Sequence, residues 1–178
     1  MIKQYKISVP KNTLNNIYKK VRNYPWKMIQ NVNGWEYGTN YNYLQKISQY
    51  CVSKYDWKKF ENKINSFKNY KTNVDGINLH FIKEKSKNPK SRPLLLLHGW
   101  PGSVIEFFDI IPKLAHPEKF GGKIEDGFDV IVPSLPGFGF STPIKKALGP
   151  RKIGKILNKF MVKNLGYKNY VVQGGDWG

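Results

Sequence analysis

The last five residues, Gly174-Gly175-Asp176-Trp177-Gly178, carry the spacing Gly-x-nucleophile-x-Gly. That is the pattern of a strained strand-to-helix turn that lifts a nucleophile clear of a sheet, here with aspartate in place of serine. Glycines suit such a turn because neighbouring chains come too close for a Cβ. A plain Gly-Asp turn in a loop is the alternative. A second segment, His98-Gly99-Trp100-Pro101-Gly102-Ser103, places two glycines and a proline directly after an apolar run. Backbone amides in so tight a turn can face one point and bind an oxyanion; an ordinary strand-helix turn is the other reading. A third segment, Pro133-Ser134-Leu135-Pro136-Gly137-Phe138-Gly139-Phe140-Ser141, is stiffened by two prolines and two glycines. Its Gly-x-Gly lacks the third glycine and the helix start of a dinucleotide fingerprint, so a nucleotide site is set aside.

The elements that would hold these loops are legible from periodicity. Leu94 to Leu97 is a short, wholly apolar run, as expected of a strand buried on both faces. Phe128 to Val132 and Tyr170 to Val172 read the same way. Val74 to Ile82 alternates around Asp75-Gly76, which predicts a hairpin. Ile105 to Leu114 and Arg151 to Leu165 are helix-like, the latter with Ile153, Ile156, Leu157, Phe160 and Met161 on one face. Strands alternating with helices predict an α/β fold with a mainly parallel sheet. In such a sheet the chemistry sits at the carboxyl ends of the strands, where all three loops fall.

The first 70 residues read differently, rich in Tyr, Trp, Asn and Lys with short helical stripes. Leu14, Ile17, Tyr18 and Val21 form one stripe behind Pro10 and a candidate Thr13 cap. Leu44, Ile47 and Cys51 form a second, and Trp57, Phe60, Ile64 and Phe67 a third, with Asp56 as its candidate N-cap. Trp26, Trp35 and Trp57 read as packing aromatics rather than a ligand cage. The expected division is 1–72, an N-terminal region, and 73–178, the start of the α/β domain.

The chain has 178 residues, 40% of them hydrophobic, enough for a core. No apolar run approaches the roughly 20 residues of a membrane helix, and no signal peptide is visible. The single Cys51 excludes an internal disulfide and cysteine zinc sites; no metal or cofactor is expected. The formal net charge is +18, with 30 Lys+Arg against 12 Asp+Glu. Only Arg22, Arg92 and Arg151 are arginines, and no helix-turn-helix, RNP or zinc-finger pattern occurs, so specific nucleic-acid binding is not expected. A surface of this sign leaves peripheral association with acidic membranes open, and the expected location is the cytoplasm or the endoplasmic reticulum membrane surface.

With these loops in hand, the chain resembles the N-terminal part of microsomal-type epoxide hydrolases, the group that includes insect juvenile hormone epoxide hydrolases. Trp26 to Phe67 is similar to that family's N-terminal region, and Asp75 to Phe81 to the strand pair that enters its hydrolase domain. His98–Ser103, Pro133–Ser141 and Gln173–Gly178 match its most distinctive loops. The resemblance implies an α/β-hydrolase fold and a two-step hydrolysis of a small hydrophobic epoxide to a diol, without cofactor or metal. Asp176 would attack an epoxide carbon and form an ester. A carboxylate with a reference pKa of about 3.9 is already ionised at neutral pH, whereas a serine would need a base. The backbone amides of Trp100 and Trp177 would hold the oxyanion when water attacks the ester, while His98, Gly99, Pro101, Gly174, Gly175 and Gly178 shape the loops.

The resemblance also implies a histidine that activates water, an acid that orients it, and cap tyrosines that protonate the epoxide oxygen. None of His80, His98 and His116 stands where that histidine belongs. The chain therefore reads as an incomplete epoxide hydrolase, either a fragment or a truncated gene product, inactive by itself, with an incomplete sheet and an exposed strand at Tyr170–Val172. Two alternatives stand beside it: a haloalkane dehalogenase-like hydrolase, which shares the aspartate, and a non-catalytic binder of hydrophobic ligands or partners. Trp100 in its His-Gly-Trp-Pro setting and the aromatic N-terminal region argue against the dehalogenase.

Overall fold

The computed structural model describes residues 1–31 and 34–178. They form two compact units, one of residues 7–63 and one of residues 1–6 with 64–178.

The smaller unit is helical. Helix α1 (Lys11–Arg22) starts directly after Pro10, which stands at the N-cap position, so Thr13 lies inside the helix and is not its cap. Helix α2 (Tyr41–Ser53) packs on α1 and is capped by Asn40, whose Oδ1 accepts the Tyr43 N–H at 3.0 Å. Helix α3 (Trp57–Asn65) follows Asp56, whose Oδ1 accepts the Lys59 N–H at 3.2 Å, as expected of the cap. Trp26 packs edge-on to Tyr41 at 5.7 Å, and the Trp57 indole donates to Glu61. Trp35 departs from the expectation: it is 60% exposed and lies against Tyr43.

The larger unit is built on six strands: β1 (Lys3–Gln4), β2 (Asn69–Val74), β3 (Ile77–Glu84), β4 (Pro93–Leu97), β5 (Asp129–Pro133) and β6 (Val171–Gly174). Their spatial order is β1-β2-β3-β5-β4-β6. The expected parallel character holds only for β5, β4 and β6; β1, β2 and β3 pair antiparallel, and β3 joins β5 antiparallel. The sheet is therefore mixed. For β2 and β3 the cause is local: Asp75-Gly76 closes one onto the other through a two-residue turn, and such a turn can only return the chain antiparallel. Asp75 (φ 51) and Gly76 (φ 82) both take the left-handed region of a type I′ turn, and Asn73 Oδ1 accepts the Gly76 N–H at 3.0 Å. Gly76→Ala is expected to cost about 1 kcal/mol because a Cβ is disfavoured there, read as a lower urea midpoint with unchanged slope.

Helix α4 (Ile111–Ala115) is shorter than the helix expected over Ile105–Leu114. A 3₁₀ turn at Val104–Phe107 comes first, and the chain restarts at α4 with Pro112 in its opening turn, where a missing N–H costs nothing. Helix α5 (Pro150–Lys159) relaxes into a π turn at Phe160–Asn164 before Gly166. Its apolar face meets the sheet as its spacing predicts: Ile156, Leu157, Phe160 and Met161 are buried with Phe81, Leu95 and Ile131, and Phe81 meets Phe160 edge-on at 4.8 Å. β6 is the edge strand beside β4, with Val171 and Val172 both exposed.

Candidate active site

Strands β4, β5 and β6 run parallel and adjacent, so the loops after Leu97, Pro133 and Gly174 emerge at one edge of the sheet. The registers Leu94↔Val171 and Leu97↔Gly174 set the end of β4 level with the end of β6. This brings His98–Ser103 against Gly175–Gly178.

Asp176 has φ 56, one of only two non-glycine residues with positive φ among the described residues. Left-handed backbone at a non-glycine residue is strained, and such strain is often held at functional sites. Asp176 Oδ1 accepts the Trp100 N–H at 2.9 Å across 76 residues of sequence. The Trp100 and Trp177 N–H groups hold the Asp176 carboxyl below its usual pKa, because they favour the ionised form.

The close approach explains most of the glycines. A Cβ at Gly99 would sit 2.6 Å from Asp176 Cβ and 2.7 Å from its Oδ1. One at Gly174 would strike the Gly178 backbone, and one at Gly178 the Leu97 carbonyl. Gly175 has open space around it, so the expected steric reason does not extend to it.

His98 is fully buried. Its Nε2 accepts the Leu135 N–H at 3.0 Å, which leaves Nδ1 protonated and donating to the Gly99 carbonyl at 2.9 Å. The Trp100–Pro101 peptide is cis. A cavity of about 480 Å³ contains Asp176, Gly99, Pro101, Gly102, Glu106 and Gln173. Sequence reasoning missed Glu106. The Gly102-x-x-x-Glu106 spacing carries the signal, because a Cβ at Gly102 would coincide with the Glu106 carboxylate. A second, apolar cavity of about 470 Å³ lies beside the first, walled by Leu97, Leu135, Phe138, Ile153 and Leu157. Trp100 and Trp177, 65% and 67% exposed, border it.

No histidine lines the Asp176 cavity. His80 is buried between Ser134 and Asn69, and His116 Nε2 faces Glu84 Oε1 at 3.0 Å. Among the described residues no group of three His, Cys, Asp or Glu could hold a metal, and no helix is long and apolar enough to cross a membrane.

Parallel strands delivering a left-handed aspartate opposite a His-Gly turn define an α/β hydrolase, and residues 92–178 match the alpha/beta hydrolase fold family. Residues 2–107 match the family described as epoxide hydrolase N terminus. The chain belongs to the epoxide hydrolase family. It is 43% identical to a putative epoxide hydrolase of Stigmatella aurantiaca, over 99% of this chain and 40% of that one. It is 37% identical to epoxide hydrolase 1 of Oryctolagus cuniculus, again over 99% of this chain and 40% of that one. The crystal structure of juvenile hormone epoxide hydrolase from Bombyx mori superposes with TM-score 0.83 at 32% identity, covering 99% of this chain and 42% of that one. The chain thus spans about 40% of the length of the curated relatives it matches.

Proposed function

We propose that this chain carries the nucleophilic part of an epoxide hydrolase acting on small hydrophobic epoxides. The carboxylate oxygen of Asp176 attacks an epoxide carbon; the C–O bond breaks, the ring oxygen leaves as an alkoxide that takes a proton, and an ester remains on Asp176. Water then adds to the ester carbonyl. The Trp100 and Trp177 N–H groups stabilise the oxyanion, and the ester collapses to diol and free carboxylate. The observation that carries this reading is the 2.9 Å bond from the Trp100 N–H to Asp176 Oδ1. The atom that would become the ester carbonyl oxygen already rests on a backbone donor. The depressed pKa supports it further, because an ionised carboxylate is the attacking species.

His80, His98 and His116 are all engaged elsewhere. The 178-residue polypeptide is therefore expected to be alkylated once and to release diol slowly or not at all. The test is intact mass after incubation with styrene oxide. One adduct, mapped to Asp176 and absent in Asp176→Asn, is the expected result. Multiple turnovers by this polypeptide, or an undiminished adduct in Asp176→Asn, would overturn the reading. Chloride release from 1-chlorohexane would turn it toward a dehalogenase. The net charge of +18 fits a place in the cytosol or on the acidic surface of the endoplasmic reticulum membrane.

A further inference from the structure

We propose that His80, on β3 and remote from the nucleophile, is a positioning residue that sets the aim of the Trp100 N–H through a buried relay. The proposal rests on the reading of Asp176 as nucleophile. The relay begins at Asn69, whose Nδ2 donates to the Ile64 and Phe67 carbonyls at 2.9 and 2.8 Å. That fixes Asn69 Oδ1 toward His80 Nε2, 3.0 Å away, so Nε2 carries the ring proton. Nδ1 is then an acceptor and takes the Ser134 hydroxyl at 2.9 Å.

The backbone of the same histidine grips the loop twice more. The His80 carbonyl accepts the Ser134 N–H, and the His80 N–H donates to Ser141 Oγ, each at 2.9 Å. Ser141 Oγ closes the clamp by donating to the Ser134 carbonyl at 2.8 Å. Both ends of the Ser134–Ser141 segment are thereby pinned to one residue of the sheet. Leu135, next to the pin, donates to His98 Nε2, and His98 Nδ1–H holds the Gly99 carbonyl. The last step is geometric. The Gly99 carbonyl and the Trp100 N–H belong to one peptide plane and cannot turn independently. Fixing the carbonyl against His98 points the N–H at Asp176 Oδ1. His80, His98, Ser134 and Ser141 are each at most 1% exposed, so no water competes along the path.

The test uses the whole chain, styrene oxide as probe, and the variant Ser134→Ala, which removes the hydroxyl between His80 and the loop but keeps the backbone. The pH dependence of adduct formation reads the apparent pKa of Asp176, with Glu106 as the other carboxylate in its cavity. Loss of the Trp100 donor is expected to raise that midpoint by about half a unit. Cleavage of the ester, driven where needed by added hydroxylamine, should also slow about tenfold, because its carbonyl loses an oxyanion donor. Amide exchange at Trp100 should quicken while the β3 and β5 amides stay protected. An unchanged midpoint, ester lifetime and Trp100 exchange overturns the relay. Uniform loss of protection overturns it too, since the hydroxyl would then serve only stability. Absence of any adduct in the unsubstituted chain removes the Asp176 reading instead, and Trp100 exchange still decides whether the relay exists.

Discussion

Gly99→Ala is expected to slow ester formation at Asp176 by about a hundredfold or more while the chain stays folded. The alanine methyl would sit 2.6 Å from Asp176 Cβ, 2.7 Å from Oδ1 and 3.0 Å from Cγ. Something must move, and neither side can yield cheaply. Asp176 is already held at φ 56 on the tip of β6, and its carboxylate is tied to the N–H of the residue next to Gly99. If the carboxylate swings away it abandons the Trp100 donor. If the turn retreats, the Gly99 carbonyl leaves His98 Nδ1. Either movement destroys the alignment of nucleophile and oxyanion donor. The loss should fall on the adduct rate far more than on stability, because the group that the methyl meets, Asp176, is exposed and outside the hydrophobic core. The check is the rate of styrene oxide adduct formation beside the urea midpoint. A rate within about twofold of the parent would show that the turn has slack that the contact distances do not suggest.

Much of this geometry was legible in the chain before any coordinates, for a physical reason. Turns are punctuated locally: Asp75-Gly76, His98–Gly102 and Gly174–Gly178 announce themselves through residues that tolerate unusual φ or close approach. Buried strands announce themselves through short apolar runs, and Leu94–Leu97 and Phe128–Val132 lie within a residue of β4 and β5. Partnership across the sheet was not legible. β3 joins β5 antiparallel, and nothing in the sequence of either strand says so. His80 shows the same limit. Its segment alternates in sequence, yet Leu79 to Ile82 are all buried, and the hydroxyls that bond the histidine, Ser134 donating to Nδ1 and Ser141 accepting the backbone N–H, lie 54 and 61 positions away. The break in the expected helix over Ile105–Leu114 had a visible signal, Pro112, which periodicity alone passes over.

The buried histidine also predicts how the fold responds to acid. Burial and the nearby Lys71 charge push the His80 pKa down from 6.5 to about 3. In the unfolded chain the imidazole gains a proton as the pH falls through about 6.5. In the folded chain it stays neutral until about pH 3. Between these limits the unfolded state binds one more proton, so stability is full above pH 6.5 and falls as the pH drops. The slope approaches about 1.4 kcal/mol per pH unit, or about 2 kcal/mol lost between pH 6.5 and 5. Glu61, Glu118 and Asp176 have lowered pKa values, and their own losses begin only below the ordinary carboxylate range near pH 4. Among these four groups the upper window therefore belongs to His80. Urea unfolding at pH 7, 6 and 5 should show the decline, and His80→Gln should start less stable and stay flat over the same span. A decline of equal slope in His80→Gln would assign it to another group. Protonation would also turn Nδ1 from acceptor to donor and break its bond from the Ser134 hydroxyl. In the folded chain that step waits until about pH 3, so the decline between pH 6.5 and 5 comes from the proton that the unfolded chain takes up, and protection of the Leu135 amide, corrected for intrinsic exchange, should fall over that span no faster than global stability does.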